Sequence, residues 1–384
     1  MNYTIKTLNN IAPDGMKRFD DRYAIDHESA NPDAIVVRSF AMHDVPFGDR
    51  LKAIARAGAG VNNIPLDRCT EAGIVVFNTP GANANAVKEL VIASLFLASR
   101  DIVDGIHWIQ KTHDIAQVEK KKSNFAGGEI QGKTLGVIGL GAIGAMVANS
   151  AIDLGMDVVG FDPYLSVDGA LLLSNQVKKV DTLDMIFTRS DYITIHVPLL
   201  ESTQNMINDV TLSQCKDGVK ILNFSRGGLV DNAAILRAIE DHKVSRYVTD
   251  FPEEILLGNR GIIPIPHLGA STGESEENCA VMAVDEIRDY LENGNISNSV
   301  NFPSASLPKN PGSTRIVIAN KNIPSMIESI TSKFAKNNLN IKDMLNKSRG
   351  DIAYNIVDVA GEVDEKLPAR IEALEGVIFA RIIG

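Results

Sequence analysis

The chain has 384 residues, which at about 150 residues per domain allows two or three domains with buried cores. Its 48 acidic and 38 basic residues give a net charge of −10, which disfavours nucleic acid and anionic membrane surfaces as partners. Three widely spaced cysteines argue against a disulfide framework or a zinc site, and no apolar stretch is long enough for a membrane span. We therefore expect a globular, cytoplasmic protein with reduced cysteines and no metal.

About the first 90 residues predict a small α/β domain. Its apolar strands, each ending near an Arg, Gly or Asn, lie at 34–38, 53–57 and 74–77. A long helical pattern at 86–109 leads from this domain to the next, and a second at 275–291 brings the chain back. Two such crossings predict that one domain is inserted in the other.

From about residue 130 onward, strands and helices alternate as in the βαβ units of a doubly wound parallel sheet. The predicted strands are 134–140, 157–161, 192–197, 219–224 and 245–250, with helices at 143–154 and 231–240. After a proline-rich segment at 301–313, residues 314–384 follow the order strand, helix, strand, strand, helix, strand. This order predicts a ferredoxin-like βαββαβ module.

A glycine-rich turn follows the first strand of the doubly wound sheet and opens its first helix. Gly139, Gly141 and Gly144 stand in the GxGxxG spacing: the first allows the turn, the second admits a pyrophosphate, and the third packs helix on strand. Asp162 ends the next strand, where its carboxylate would accept hydrogen bonds from ribose hydroxyls and repel a 2′-phosphate. The pattern predicts a dinucleotide site that prefers NAD to NADP.

Arg226 follows another strand of this sheet and precedes two glycines, at the edge where ligands bind in such folds. Its planar guanidinium is suited to a carboxylate, although an ion pair with Asp231 would explain it equally well.

His267 lies on a loop before the second crossing helix, and a lone histidine is more often structural than catalytic. A nearby carboxylate would hold the tautomer of His267 and raise its pKa, which would make it a better proton acceptor. The candidates for this carboxylate are Asp250, Glu253 and Glu254.

The order of these motifs resembles that of the D-isomer-specific 2-hydroxyacid dehydrogenases. The matching stretches are GLGAIG, FDPY, HVP, NFSRGGLVD, DFPEE and PHLGAST, and the resemblance covers residues 1 to about 300. It implies a catalytic trio of Arg226, Glu254 and His267. The DFPEE loop lacks the Glu-Pro usual in the family, which leaves Glu253 as the alternative, but the family pattern Phe-Pro-x-Glu favours Glu254.

The same resemblance implies which residues contact the cofactor and the substrate. The NAD contacts would be Gly139, Gly141, Ala142, Ile143, Gly144, Asp162, His196, Val197, Pro198, Phe224, Ser225, Arg226, Asp250, His267, Gly269 and Ala270. The substrate contacts would be Arg38, Ser39, Gly58, Ala59, Gly60, Asn62 and Asn83. For Arg38 the alternative is a solvated surface position.

The stretches SVNFP and SLP, joined to the βαββαβ module, resemble the branch of the family that ends in an ACT domain. Members regulated by serine carry a His-x-Asn-x-Pro-Gly turn and a later Asn. Here Asn320 replaces the His, Ser325 replaces the Gly, and Asn322 and Asn340 keep their positions. The resemblance implies an effector site for L-serine or a related amino acid; the alternative is a module used only for assembly.

The expected fold is α/β: a doubly wound parallel-sheet NAD-binding domain inserted in a smaller flavodoxin-like substrate domain, followed by a ferredoxin-like ACT domain. The expected limits are 1–94 and 275–301 for the substrate domain, 95–274 for the NAD-binding domain, 302–312 for a linker and 313–384 for the ACT domain.

This branch of the family implies NAD-dependent oxidation of 3-phospho-D-glycerate to 3-phosphohydroxypyruvate, the first step of the phosphorylated route to L-serine. The alternatives are another D-2-hydroxyacid dehydrogenase, or a non-catalytic NAD-sensing protein similar to the C-terminal-binding corepressors. Family members pair through the nucleotide domain and through ACT sheets, which implies a homodimer or homotetramer.

Overall fold

The structure, a computed structural model, describes residues 3–112 and 115–383. The described chain divides into two units. The first combines the residues up to Ala82 with those from Glu276 onward, and the second spans Asn83–Ser275. The second unit therefore interrupts the first along the chain, as expected for an inserted domain. The finer limits given above stay a prediction.

The first unit contains a five-stranded parallel sheet in the order β2-β1-β3-β4-β5, which is the flavodoxin-like order. Its elements are β1 (Tyr3–Leu8), α1 (Pro13–Met16), β2 (Tyr23–Ile25), β3 (Ala34–Val37), β4 (Ala53–Arg56), α2 (Leu66–Glu71) and β5 (Val75–Asn78). The sequence predicted β3, β4 and β5 to within a residue or two. It did not predict β1 and β2, because polar residues interrupt their few apolar positions.

The second unit contains a seven-stranded parallel sheet in the order β12-β11-β10-β9-β6-β7-β8. Its elements are α3 (Ala84–Ser99), α4 (Ile102–Thr112), α5 (Val118–Lys121), β6 (Thr134–Ile138), α6 (Ala142–Asp153), β7 (Asp157–Phe161), α7 (Val167–Leu171), β8 (Lys178–Lys179), α8 (Leu183–Arg189), β9 (Tyr192–Ile195), α9 (Asp209–Gln214), β10 (Val219–Asn223), α10 (Asn232–Glu240), β11 (Val244–Thr249) and β12 (Ile262–Pro264). The strand order reverses between β6 and β9, which is where a doubly wound sheet binds its ligand. The predicted nucleotide-binding fold is confirmed.

The long helix predicted at 86–109 is wrong in one respect, because the structure ends α3 at Ser99 and begins α4 at Ile102. Arg100 adopts an extended backbone between them. The carboxylate of Asp101 is paired with Arg246 at 2.6 Å. Three successive polar residues at the break leave no apolar side chain to continue the buried stripe of α3.

The C-terminal part of the first unit forms the predicted βαββαβ module. Helix α11 (Gly273–Asn293) precedes it, followed by β13 (Ser313–Lys321), α12 (Met326–Lys336), β14 (Asn340–Arg349), β15 (Ile352–Ala360), α13 (Leu367–Glu372) and β16 (Val377–Ile383). The sheet is antiparallel in the order β14-β15-β13-β16. Ile330 and Phe334 of α12 and Ile371 of α13 are buried against one face of this sheet.

The other face of the module's sheet packs on the rest of the first unit. Val317 and Tyr354 share a core with Phe77, Tyr290 and Phe302, all with no exposed surface. The proline-rich segment 302–312 is part of this packing, because its Ala305 exchanges backbone hydrogen bonds with Ile296. The module is therefore built into the first unit.

Arg315 of β13 joins three parts of the first unit and has no exposed side-chain surface. Its guanidinium donates to both carboxylate oxygens of Asp358 on β15, at 2.7 and 2.8 Å. The same group donates to the carbonyl oxygens of Asn293, Leu307 and Pro308 at 2.7–3.0 Å. These bonds tie the end of α11 and the proline-rich segment to the sheet.

Within residues 3–112 and 115–383, no helix combines the length and apolarity needed to cross a bilayer. No group of three or more His, Cys, Asp or Glu side chains in that part of the chain is arranged to hold a metal ion. Cys69, Cys215 and Cys279 are buried and unpaired there.

Candidate active site

The glycine-rich turn between β6 and α6 has the geometry that the motif predicts. Gly139 adopts φ 89°, a left-handed backbone that favours glycine, and a Cβ there would lie 2.5 Å from the His196 carbonyl oxygen. A Cβ at Gly144 would collide with the Gly139 carbonyl oxygen. At Gly141 a Cβ would meet nothing within 4 Å, so the space before the N-terminus of α6 is open to a ligand.

Asp162 lies directly beside this turn. One of its carboxylate oxygens accepts a hydrogen bond from the Leu140 N–H at 2.9 Å, and the other accepts one from the Tyr164 N–H at 2.8 Å. Each oxygen keeps a free lone pair for a ribose hydroxyl. The geometry fits the role predicted for Asp162 in binding NAD.

The loops after β9 and β10 are joined to each other beside the turn. The His196 N–H donates to the Ile138 carbonyl at 2.7 Å, and the Ser225 hydroxyl donates to the Val197 carbonyl at 2.6 Å. The His196 Nε2 lies 2.9 Å from the Thr194 hydroxyl, while its buried Nδ1 has no partner in the described structure. Burial lowers the pKa of His196 to about 3, so its ring is neutral at physiological pH.

Arg226 presents its side chain to solvent at the carboxyl end of β10. Its Nη1 donates only to the Ser225 carbonyl, at 2.7 Å, and no ion pair of the described residues includes it. Asp231 instead caps α10 by accepting from the N–H groups of Ala233 and Ala234. The alternative of an ion pair between Arg226 and Asp231 is therefore wrong, and the guanidinium is available to an anion.

Asp250 and His267 come together at the ends of β11 and of the following loop. The Asp250 side chain is buried; one oxygen accepts from the Gly269 N–H at 3.0 Å, and the other has no partner among the described residues. Burial raises the pKa of Asp250, although the Gly269 N–H and the electrostatic effects of His267 and Arg226 act in the opposite direction. The unpaired oxygen is a buried acceptor for a ligand donor such as the nicotinamide carboxamide.

His267 is exposed and packs against the Phe251 ring, with ring centroids 4.7 Å apart. The sequence analysis did not predict this contact, although the DFP and PHLG motifs supply the two rings. Both candidate glutamates are exposed, and Glu254 begins a 3-10 turn at Glu254–Leu256. Neither carboxylate is hydrogen-bonded to His267 in the described structure. Phe251 thus links the three loops, because it follows Asp250, packs on His267 and lies next to Gly227, the residue after Arg226.

In the first unit, the predicted substrate residues lie on loops that follow parallel strands. Arg38 and Ser39 follow β3, and the Arg38 guanidinium pairs with Glu276 at 2.7 Å. The side-chain oxygen of Asn9, after β1, accepts from the N–H groups of Arg38, Ser39 and Phe40. Asn9 was not predicted, because its role depends on a left-handed backbone with φ 78° that the sequence does not reveal.

The turn at 58–62 follows β4 and is held by the end of β5. Gly58 adopts φ 150°, and its carbonyl accepts from the Thr79 N–H at 3.2 Å. The Asn78 amide donates to the Ala59 carbonyl at 2.6 Å, and the His43 ring lies 3.0 Å from the Asn62 carbonyl. Asn83 belongs to the second unit, where it precedes α3 without capping it through its side chain.

In the C-terminal module, two of the three predicted effector residues are engaged internally. Asn320 is a buried residue of β13, not part of the turn. Its Nδ2 donates to the Lys321 carbonyl at 2.6 Å, and its Oδ1 accepts from the Asn355 amide at 2.8 Å. The Asn322 amide donates to the Gly350 carbonyl at 3.2 Å. Asn340, at the exposed start of β14, makes no side-chain hydrogen bond among the described residues.

Ser325 stands where the serine-regulated pattern has glycine, and it adopts φ 65° immediately before α12. The position therefore requires the left-handed backbone that favours glycine.

Residues 92–269 match the family model described as D-isomer specific 2-hydroxyacid dehydrogenase, NAD binding domain. Over 345 residues the chain is 32% identical to a protein of Haemophilus influenzae, a match that covers 87% of this chain and 82% of that protein. The chain therefore belongs to the D-isomer specific 2-hydroxyacid dehydrogenase family. Because the matched region is an NAD-binding domain, the prediction that NAD is the cofactor is confirmed. The Haemophilus relative is a D-3-phosphoglycerate dehydrogenase, so the predicted resemblance is confirmed.

For two further D-3-phosphoglycerate dehydrogenases, the match with this chain covers only about half of the relative's own length. The one from Synechocystis is 37% identical over 71% of this chain and 49% of its own length, and the human one is 36% identical over 66% and 47%. A solved NAD+-bound 3-phosphoglycerate dehydrogenase from Entamoeba histolytica has the same fold, with TM-score 0.59 and 23% identity over 78% of this chain and 99% of that one. A glyoxylate reductase from Paecilomyes thermophila aligns with TM-score 0.65 and 25% identity over 78% and 98%.

Proposed function

We propose that this chain oxidises the C2 hydroxyl of 3-phospho-D-glycerate to the ketone, with NAD as the hydride acceptor, as the first step of the phosphorylated route to L-serine. The observation that carries the proposal is the set of contacts that links the loops of Arg226, Asp250 and His267 beside a dinucleotide turn. The D-3-phosphoglycerate dehydrogenases among its relatives favour this substrate over other 2-hydroxy acids.

Arg226 binds the substrate carboxylate and stabilises the charge that develops on the C2 oxygen. Its guanidinium is exposed at the carboxyl end of β10 and is held only by the neighbouring Ser225 carbonyl. A planar fork of this kind matches a carboxylate with two parallel hydrogen bonds. Arg226 can therefore bind the ground state and also stabilise the transition state.

His267 accepts the hydroxyl proton, and the packed Phe251 ring limits the directions in which its imidazole can point. We assign the orientation of His267 to Glu254, whose carboxylate is exposed and makes no hydrogen bond or ion pair in the described structure. Hydrogen bonds of this kind often tighten only when substrate is bound. Glu253 is the competing assignment.

When bound, NAD would accept the hydride, and residues of this chain would hold and orient the cofactor. The open space at Gly141 admits the pyrophosphate, Asp162 accepts from the ribose, and the free oxygen of Asp250 accepts from the carboxamide. The remaining assigned contacts are Gly139, Ala142, Ile143, Gly144, His196, Val197, Pro198, Phe224, Ser225, Gly269 and Ala270.

The substrate's other anionic group is assigned to the loops of the first unit and to Asn83. The donors in these loops include the Arg38 guanidinium and the Ser39 hydroxyl, after β3. The 58–62 turn follows β4, the strand that pairs with β3. The remaining assigned contacts are Gly58, Ala59, Gly60 and Asn62.

We further infer a homodimer or homotetramer. Residues 101–112 and 115–129 include Ile102, Ile106, Trp108 and Phe125, yet no residue of these two ranges is buried. An exposed segment of this length with several large apolar side chains normally needs a partner surface to cover it. We assign a second copy of the chain as that partner. Light scattering of Ile106→Asp, beside wild type, tests the assignment; unchanged mass would contradict it.

An amino-acid effector such as L-serine is proposed for the start of α12, where the free N–H groups of the first turn can receive a carboxylate. Asn340 of a paired copy would meet the ammonium group. Calorimetry with L-serine and glycine tests the effector: no heat, together with unchanged activity at millimolar levels, would leave the module a role in assembly only.

We also infer a cytoplasmic location, because three buried free thiols suit a reducing compartment.

The experiment that tests the proposed function is turnover of 3-phosphohydroxypyruvate with NADH, measured beside glyoxylate and pyruvate. Preference for the phosphorylated substrate supports the proposal. Preference for an unphosphorylated acid would assign another member of the family, and binding of NADH without turnover of any acid would assign a sensor.

A further inference from the structure

The loop after β3 contains three successive backbone N–H groups that converge on one oxygen atom. The Asn9 Oδ1 accepts from the N–H groups of Ser39 at 2.9 Å, Phe40 at 2.8 Å and, more weakly, Arg38 at 3.4 Å. Successive N–H groups arranged in this way form a concave site that suits an anion. Here an internal neutral oxygen fills that site.

Asn9 reaches this position because its backbone is left-handed, with φ 78°. Asparagine is one of the few residues that adopt this conformation without glycine's freedom. The backbone outlier therefore brings the end of β1 to the loop after β3, at the point where the order of the flavodoxin-like sheet reverses. An outlier that also makes three hydrogen bonds points to a positioning role.

The second anion-binding group of this loop also has an internal partner. The Arg38 guanidinium pairs with the Glu276 carboxylate at 2.7 Å, while the Arg38 carbonyl accepts from Arg56 at 3.0 Å. About two-fifths of each side chain of the pair is exposed to solvent, 36% for Arg38 and 44% for Glu276. An exposed pair of this kind is weak and exchanges easily with another anion.

We propose that Asn9 is a positioning residue for the Arg38–Phe40 loop. We also propose that Glu276 stays paired with Arg38 until an anionic group of the substrate displaces the Glu276 carboxylate. Asn9 keeps its bonds when substrate binds, so the substrate meets the side chains of Arg38 and Ser39 and not the backbone N–H groups. Glu276 loses its bond at that moment. The assignment rests on the proposed function, in which this loop contacts the substrate.

The two residues have opposite expected effects on the KM for the acid substrate. Asn9→Ala loosens the loop, and losing hydrogen bonds of ordinary strength is expected to raise KM about three- to tenfold. Glu276→Gln removes a competitor for Arg38, and the loss of an exposed pair is expected to lower KM about two- to fivefold. The second effect shrinks as salt is added, because exposed charges are screened. In both variants kcat and the KM for NAD stay near wild type.

Asn10→Ala and Glu277→Gln are matched controls, because each neighbours the tested residue and makes no side-chain hydrogen bond or ion pair in the described structure. Kinetics of Asn9→Ala equal to those of Asn10→Ala would overturn the role of Asn9. A lower KM in Asn9→Ala would also overturn it, since it would show that the substrate uses the N–H groups. An unchanged or higher KM in Glu276→Gln would show that the pair is only structural.

Amide hydrogen exchange separates a failure of this inference from a failure of the proposed function. The amides of Ser39 and Phe40 are expected to exchange faster in Asn9→Ala than in Asn10→Ala, whether or not the chain turns over 3-phosphoglycerate. If another 2-hydroxy acid is the substrate, the KM comparison is made with that acid. Equal exchange in the two variants would overturn the positioning role independently of any activity.

Discussion

Removing the carboxylate of Asp358 is expected to destabilise the first unit strongly. Asp358→Ala leaves the Arg315 guanidinium without exposed surface and without a counter-ion, held only by the carbonyls of Asn293, Leu307 and Pro308. Two charge-assisted hydrogen bonds are lost, and so is the 3.1 Å bond from the Asn310 N–H. Breaking a buried pair on one side costs about 3–5 kcal/mol, because the remaining charge stays desolvated.

The assay is chemical and thermal unfolding of wild type and variant at neutral pH. For a unit of this size the loss corresponds to a fall of about 6–20 °C in Tm. Asp209→Ala is the control, because its ion pair with Arg237 is exposed on both sides and its removal is expected to change little. Replacing both partners, as in Arg315→Met with Asp358→Leu, is expected to recover part of the loss.

The same pair predicts a pH dependence with a definite sign. Burial alone would raise the pKa of Asp358, but hydrogen bonds from Arg315 and the Asn310 N–H outweigh it and hold the pKa below its ordinary value. Its stabilisation is therefore complete above the unfolded pKa of about 4 and is lost as the pH falls through the folded value. The difference between wild type and Asp358→Ala should narrow in acid. A variant within about 1 kcal/mol of wild type at pH 7 would refute the reasoning.

Three further predictions concern the second unit. His267→Ala should lower kcat by roughly 10²–10⁴ and leave NADH affinity near wild type, since it removes the general base; a steady-state rate within about threefold of wild type would remove His267 from the mechanism. Glu254→Gln should shift the pH profile of kcat/KM while Glu253→Gln should not, and the reverse result would move the assignment by one residue. Asp162→Ala should relax the preference for NADH over NADPH, measured as a kcat/KM ratio; equal use of both by wild type would contradict the role given to Asp162.

Local sequence patterns were enough for the parts of the fold that depend on local periodicity. The strand, glycine turn and helix around Gly139 and the six elements of the C-terminal module were predicted close to their observed limits. Strand β1 was not, because Ile5 is its one fully buried apolar residue. The break at Arg100 was missed because apolar residues continue on both sides of it.

The candidate site was predictable only where motifs carry it. Arg226, Asp250 and His267 stand in recognisable loops, and contacts of Phe251 and Gly269 link these loops in the structure. Asn9 acts on residues about 30 positions further along the chain, through a side chain whose direction depends on a backbone outlier. Arg315 and Asp358 face each other only because β13 and β15 pair in one register, which no local pattern reveals.

The packing of the C-terminal sheet on helix α11 has a consequence for synthesis on the ribosome. The second unit is complete once Ser275 has been made, so it can fold while the chain is still growing. The first unit cannot, because β1 begins at Tyr3 and its buried aromatic cluster around Tyr290 and Phe302 is closed by strands that end at Ile383. Until then that apolar surface stays uncovered, so ribosomes stalled within β16 would expose the apolar surface of an unfinished first unit while the second unit is already folded.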